Sequence, residues 1–126
     1  DAYLTRATVM AVLAQRLVRL NCPHCTQEET VTPAVREELG LGEGEIFYQG
    51  VGCDHCFETG FRGRHAVYEL LRVTPAMREC IHPNADAMEL ERQACADGMV
   101  PLTDNALALA REGQTSIAEV YRVRLV

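Results

Sequence analysis

The sequence predicts an α+β fold, a tetracysteine zinc module with short antiparallel strands joined to a small C-terminal helical bundle. Three observations predict it. Cys22 and Cys25 form one CxxC pair and Cys53 and Cys56 a second, with 27 residues between the pairs, the arrangement by which two tight loops supply four soft ligands to one tetrahedral ion. Residues 46–51 and 63–73, on either side of the second pair, are rich in β-branched and aromatic side chains and read as strands. From Thr74 onward, start and stop signals for helices follow one another to the end of the chain.

The totals are consistent with that class. A chain of 126 residues is one domain, or one plus a fragment of another. Apolar residues make up 48% and charged residues 24%, with no Trp, so the core is built from aliphatic side chains. A formal net charge of −6 argues against a mainly electrostatic nucleic-acid binder. No run of about 18 apolar residues is present to span a bilayer, and the N-terminus lacks a signal-peptide pattern. The chain opens directly on "DAYLTRATVMAVLAQRLVR", which reads as a cut through a longer protein.

Taken in order, Val9, Val12, Leu13, Leu17 and Leu20 recur at spacings near three and four and predict an amphipathic helix from Thr8 to Leu20 that delivers the chain to Cys22. The acidic stretch "TQEETVTPAVREELGLGEGE" is an insertion between the thiol pairs. Thr32-Pro33 starts a short helix within it and Gly40 stops that helix. Strands follow at Ile46–Val51 and Gly63–Val73. Thr74 then caps a helix with Pro75 at its first position, where a missing N–H costs nothing. Further helices are predicted over Asp86–Asp97, ending at Gly98, and over Asp104–Glu112, ending at Gly113. The last begins at Ser116, whose spacing to Glu119 makes a capping box.

The four thiols admit three readings: a structural zinc site, a redox pair, or disulfides and unliganded thiols. CPHC also occurs in thiol-disulfide enzymes, but there the motif must follow a strand and open a helix, whose N-terminus lowers the thiol pKa. Here it follows a predicted helix and leads into an acidic loop, and the second pair, CDHC, has no place in a dithiol enzyme. The reading adopted is structural Zn²⁺ on Cys22, Cys25, Cys53 and Cys56. An all-cysteine set leaves no open position for a metal-activated water, so no catalytic residue is predicted. His24 and His55 take matching inner positions in the two loops, as surface groups or hydrogen-bonding neighbours. Arg16, Arg19, Arg62 and Arg64 offset the negative charge of a zinc tetrathiolate, with Arg64 also available to an external anion or acidic partner. Cys80 and Cys95 are expected to be small buried side chains.

In order, "VLAQRLVRLNCPHC", "GCDHCFETGFRGRHAVYELLRV", "MRECI" and "GMVPLTDNALALAREGQTSIAEVYRV" resemble the C-terminal part of the bacterial type II secretion and type IV pilus assembly ATPases, across essentially the whole chain. Thr59-Gly60-Phe61 and "GRHAVYE" stand where relatives often carry TGY and GRTGIYE. The resemblance implies zinc on the same four cysteines. It also implies a cytoplasmic hexameric motor, peripheral at the inner membrane, that works with a platform protein and linker proteins of the machine, without nucleic acid or membrane insertion. ATP and Mg²⁺ belong to the full-length parent. This chain has no GxxxxGK[ST] loop and no lysine to serve one, so the catalytic half is expected upstream of Asp1 and the chain itself is not expected to be an enzyme. Residues 1–21 are then the terminal helix of a truncated RecA-like domain, 22–62 the zinc module, and 63–126 a strand plus helical subdomain. The orphaned apolar face of the opening helix implies local refolding or pairing with a second chain. The competing functions are a stand-alone zinc-ribbon-like module that binds protein or nucleic acid and a CxxC dithiol oxidoreductase.

Overall fold

The structure is a computed structural model that describes residues 2–125. In chain order its elements are helix α1 (Ala2–Thr8), strand β1 (Ala11–Asn21), strand β2 (Thr26–Glu28), helix α2 (Pro33–Leu39), strand β3 (Tyr48–Gly50), strand β4 (Phe61–Arg72), and helices α3 (Pro75–Cys80), α4 (Ala87–Ala96), α5 (Leu102–Arg111) and α6 (Ile117–Leu125). A turn of 3₁₀ helix spans Asp54–Cys56. The fold is α+β, with helices, antiparallel strands and four clustered cysteines.

The locally encoded helix signals are realised. Thr32 caps α2 by accepting from Val35 N, and Gly40 ends it at φ 68°. Thr74 caps α3 by accepting from Met77 N at 3.1 Å, with Pro75 in the first turn. Asp86 caps α4. These caps need only contacts three or four residues away, which is why spacing alone finds them.

The predicted helix over Thr8–Leu20 is not formed, so CPHC follows a strand and not a helix, though it runs on into β2 and opens no helix. Residues 11–21 are strand β1, Leu13 and Leu17 face solvent, and Val18 is fully buried. The 3.6-residue pattern was satisfied by residues with good helix propensity, but the chain pairs β1 with β4, and ladder hydrogen bonds outweigh propensities worth only tenths of a kcal/mol per residue. The pair runs antiparallel: Cys22 N donates to Gly60 O at one end, and Val73 N to Met10 O at the other. At 11 and 12 residues, β1 and β4 are long. No sequence signal marks β2, which pairs antiparallel with β3 in the register Thr26↔Gly50, Gln27↔Gln49 and Glu28↔Tyr48.

The chain groups into two compact units: residues up to Gln15 with Tyr68–Leu102, and Arg16–Val67 with the residues from Thr103 on. In the first, Thr74 ties α3 to α4, its hydroxyl donating to Asp97 Oδ2 at 2.6 Å while it caps α3. Met77 and Ala94 are buried there. Cys95, one position on from Ala94, is exposed, and Cys80 is half-buried. The expectation of two buried thiols is corrected accordingly: one residue along a helix is a rotation of about 100°, enough to leave the buried stripe.

In the second unit Val18, Phe47, Val67, Ala106, Leu107, Ala110, Ile117, Val120 and Val123 are buried. Its most consequential polar group is Glu119, whose side chain is fully buried while its partners Arg19 and Arg122 stay nearly half-exposed. Glu119 receives the Arg19 amide at 2.8 Å, the Arg19 guanidinium at 2.8 to 3.2 Å, and the Arg122 guanidinium at 2.7 and 2.8 Å. Only half of the predicted capping box is made: Glu119 N donates to Ser116 Oγ at 3.1 Å, while the carboxylate is spent on the arginines. Burial pushes its pKa up, but the hydrogen bonds from Arg122 and Arg19 outweigh burial and hold the carboxyl at about 2, against an ordinary 4.5. Because the folded value is depressed, this stabilisation is complete above pH 5 and is lost as pH falls through about 2. Allowing for the half-exposed arginines, the loss is about 1–3 kcal/mol. Glu119→Gln is expected to abolish that acid-limb slope and to cost about 2–4 kcal/mol at pH 7, read as urea midpoints against pH. An unchanged slope would remove Glu119 as its source.

Candidate metal centre

Each CxxC loop sits between two strands whose partners flank the other loop. The first lies between β1 and β2, the second between β3 and β4, and β1 pairs with β4 while β2 pairs with β3. Pairing the strands therefore brings the loops together. Val51 N donates to Cys25 O at 3.1 Å and Cys22 N to Gly60 O at 2.9 Å, sealing one side each. Within the loops the turns match: Cys25 N donates to Cys22 O at 3.4 Å and Cys56 N to Cys53 O at 3.2 Å. A threonine braces each loop, Thr26 Oγ1 donating to Cys22 O at 2.8 Å and Thr59 Oγ1 to Cys56 O at 2.6 Å.

The close approach depends on Gly50 and Gly60. A Cβ on Gly50 would lie 2.0 Å from Gly60 O, and one on Gly60 would lie 2.3 Å from Gly50 O. No side chain fits between these two backbones. After Cys56 the chain turns through two residues of left-handed backbone, Phe57 at φ 54° and Glu58 at φ 62°, and the turn is held by Glu58 N donating to Cys53 O at 2.9 Å.

The result is one cluster. The Sγ atoms of Cys22, Cys25, Cys53 and Cys56 all lie within 4.8 Å of one another. Cys22 is 3.8 Å from Cys53, Cys25 is 3.9 Å from Cys56, and Cys53 is 3.8 Å from Cys56. A tetrahedron of Zn–S bonds of ~2.3 Å has edges of ~3.8 Å, whereas a disulfide needs sulfurs ~2.05 Å apart. The set is positioned for a metal ion and is compatible with zinc. Backbone amides point at the sulfurs, as thiolate ligands require: Gly52 N donates to Cys25 Sγ at 3.3 Å, and Cys53 N and Gly60 N to Cys56 Sγ at 3.3 and 3.2 Å. Burial works against ionising Cys56, yet the Gly60 and Cys53 amides bring its pKa down to about 6. Burial dominates at Cys53, pushing it up to about 12.

The other residues singled out from the sequence fall around this cluster. His24 and His55 are exposed and stack on one another, ring centroids 3.8 Å apart at 20°, and neither belongs to the four-residue cluster. Arg19 is committed to Glu119 and stacks over Phe61 at 4.1 Å, so its charge is not spent on the thiols. Arg16, Arg62 and Arg64 are exposed.

Sequence reasoning missed Glu29. The polar loop after the first thiol pair buries this carboxylate at the N-terminus of α6, where it accepts from Ile117 N at 2.7 Å and Ala118 N at 3.0 Å. With Ser116 Oγ accepting from Glu119 N, the amides of Ile117, Ala118 and Glu119, which have no partner within the helix, are all satisfied. The cap comes from 88 residues away, so no local motif could announce it. Glu29→Ala is expected to leave two amides unpaired and to cost about 2–3 kcal/mol, measurable as a shifted urea midpoint. A shift below half a kcal/mol would mean that water replaces the carboxylate there.

A family model described as "Type II/IV secretion system protein" matches residues 1–122. The chain belongs to the type II/IV secretion system protein family. It is 40% identical over 118 residues to the type IV pilus assembly ATPase PilB of Thermus thermophilus, covering 90% of this chain and 13% of that protein. Over 125 residues it is 35% identical to the type II secretion system protein E of Aeromonas hydrophila, covering 98% of this chain and 25% of that protein. It is also 36% identical over 126 residues to PilB of Pseudomonas aeruginosa, covering 97% of this chain and 22% of that protein. The chain thus spans a quarter or less of the length of these family members. Among the described residues no helix is long and apolar enough to cross a membrane.

Proposed function

We propose that this chain is the zinc-bearing, non-catalytic part of a secretion or pilus assembly ATPase, and that its role is structural. Cys22, Cys25, Cys53 and Cys56 would hold one Zn²⁺, which supplies a cross-link and no reaction chemistry, because four thiolates close its shell. The observation that carries this reading is the clustering of four sulfurs within 4.8 Å of one another, three of their separations being 3.8 to 3.9 Å, the edge length of a zinc tetrathiolate, in a chain that matches the type II/IV secretion system protein family over residues 1–122.

On this reading residues 1–21 continue from the motor domain, 22–62 form the zinc module and 63–126 the strand and helical region that follow. ATP hydrolysis with Mg²⁺, assembly into a hexamer and work against platform and linker proteins at the cytoplasmic face of the inner membrane belong to the whole motor. The exposed apolar side chains of Val12, Leu13 and Leu17 on β1 support a further covering partner, from the rest of the motor or a second copy. By holding the end of β1 against the start of β4, the clasp passes displacements of the motor to the segments beyond.

Elemental analysis of the purified chain tests the site: one zinc per chain is expected, falling to background in Cys53→Ser. Metal-free protein whose Cys22 thiol catalyses disulfide exchange would replace this reading with the oxidoreductase one. In the full-length motor, Cys53→Ser is expected to impair secretion or pilus assembly while leaving nucleotide binding intact. Full transport by a zinc-free motor would sink the mechanical role.

A further inference from the structure

We infer that the arginine-lined cleft formed by Arg19, Arg64 and Arg122 binds a carboxylate on an acidic, partly apolar peptide segment of another protein. Two adjoining open cavities define the cleft. One, of about 350 Å³, is lined by Leu17, Arg19, Arg64 and Arg122. The other, of about 580 Å³, is lined by Arg19, Thr59, Phe61, Gly63 and Arg64. Arg19 and Arg64 belong to both.

The charge in this cleft does not balance. Three guanidinium groups line it, and two of them, Arg19 and Arg122, share one carboxylate, Glu119, in a chain whose overall charge is −6. Glu119 takes up Nε and Nη2 of Arg19 and Nε and Nη2 of Arg122, leaving Nη1 of each outside the pair. Among the described residues nothing hydrogen-bonds or ion-pairs with the Arg64 side chain, which is exposed on β4. Arg19 is held in place by its stack on Phe61, so its donors are preorganised and lose little freedom on binding.

The chemistry selects the ligand. A planar fork of N–H donors matches a carboxylate or a phosphate, and the Glu119 pair already displays the carboxylate fit. Leu17 and Phe61 provide apolar walls that a free phosphate cannot use, whereas an acidic residue next to an aliphatic one meets both surfaces. A nucleic acid would bring its phosphates against an acidic protein.

The test uses the chain as purified and a fluorescein-labelled peptide of alternating Glu and Leu, followed by anisotropy at 50 mM NaCl and by the Arg Nε–H resonances. Saturable binding that shifts the Arg64 resonance is expected, weakened roughly five- to tenfold by Arg64→Ala and less by Arg64→Lys, and weakened again at 300 mM NaCl. Because Arg64 is exposed and unpaired, its variants are expected to fold. Equal binding of the matching Gln-Leu peptide, or an Arg64→Ala chain that binds as the parent does, overturns the inference. Inorganic phosphate or a single-stranded oligonucleotide that displaces the peptide at lower concentration overturns it in favour of a phosphate site.

Discussion

Stripping metal from the purified chain with a chelator at pH 7 is expected to unfold at least residues 21–62, and zinc added back is expected to restore them. Zinc binding in small thiolate modules is worth roughly 10–16 kcal/mol apparent, as much as the ~5–15 kcal/mol that holds an ordinary domain together. Here the dependence is built into the strands: β2 and β3 are three residues each, too short to stay paired without the cluster at their ends. Hydrogen exchange should therefore lose protection first at Val51, Gly52 and Gly60, whose amides bond to Cys25 O, Cys25 Sγ and Cys56 Sγ. The helices α3 and α4, tied to each other through Thr74 and Asp97, lie in the other unit and should lose less. An unchanged melting curve and unchanged exchange after complete metal removal would show that the cluster does not hold the fold.

Gly50→Ala is expected to be the most damaging substitution of a single non-ligand residue. The added Cβ meets Gly60 O at 2.0 Å, Gly60 C at 2.7 Å and Gly60 Cα at 2.9 Å, all backbone atoms with no rotamer to change. The two backbones would have to separate by more than an ångström, which breaks the sulfur tetrahedron next to them. Overpacking of flexible cores costs about 1–3 kcal/mol, and a rigid backbone contact beside a metal site should reach or exceed the top of that range. Zinc affinity, by competition with a chromogenic chelator, should fall together with the urea midpoint. Gly44→Ala is the matched control, since nothing lies within 4 Å of its added Cβ. It is expected to be neutral or to stabilise by up to about 1 kcal/mol through the unfolded state. Gly50→Ala with parental stability and zinc affinity would show that the contact yields easily.

The cysteine cluster was legible because cysteine announces itself by type and by two-residue spacing, and loop closure costs little even across the interval between the pairs. The helix starts at Thr32 and Thr74 were legible because a cap and its amides are neighbours in the chain. The strand β1 was not. Its residues satisfy a helical pattern, and what makes them a strand is β4, about forty residues further on, whose pairing no local window contains. Glu29 and Glu119 were misread for the same reason: one reads as loop, the other as half of a local cap, until folding sets them against α6 and Arg19.

The amino-acid order by itself determined the two cysteine pairs, most of the helix ends and the family pattern, because each depends on residue type and on separations of a few positions. Tertiary structure alone decided which strands pair, that Gly50 and Gly60 touch, that Glu29 and Glu119 are buried with partners, and that three arginines converge on one cleft. Those features arise from atoms brought within hydrogen-bonding or van der Waals range by long-range closure, and forces of such short reach leave no periodic trace along the chain.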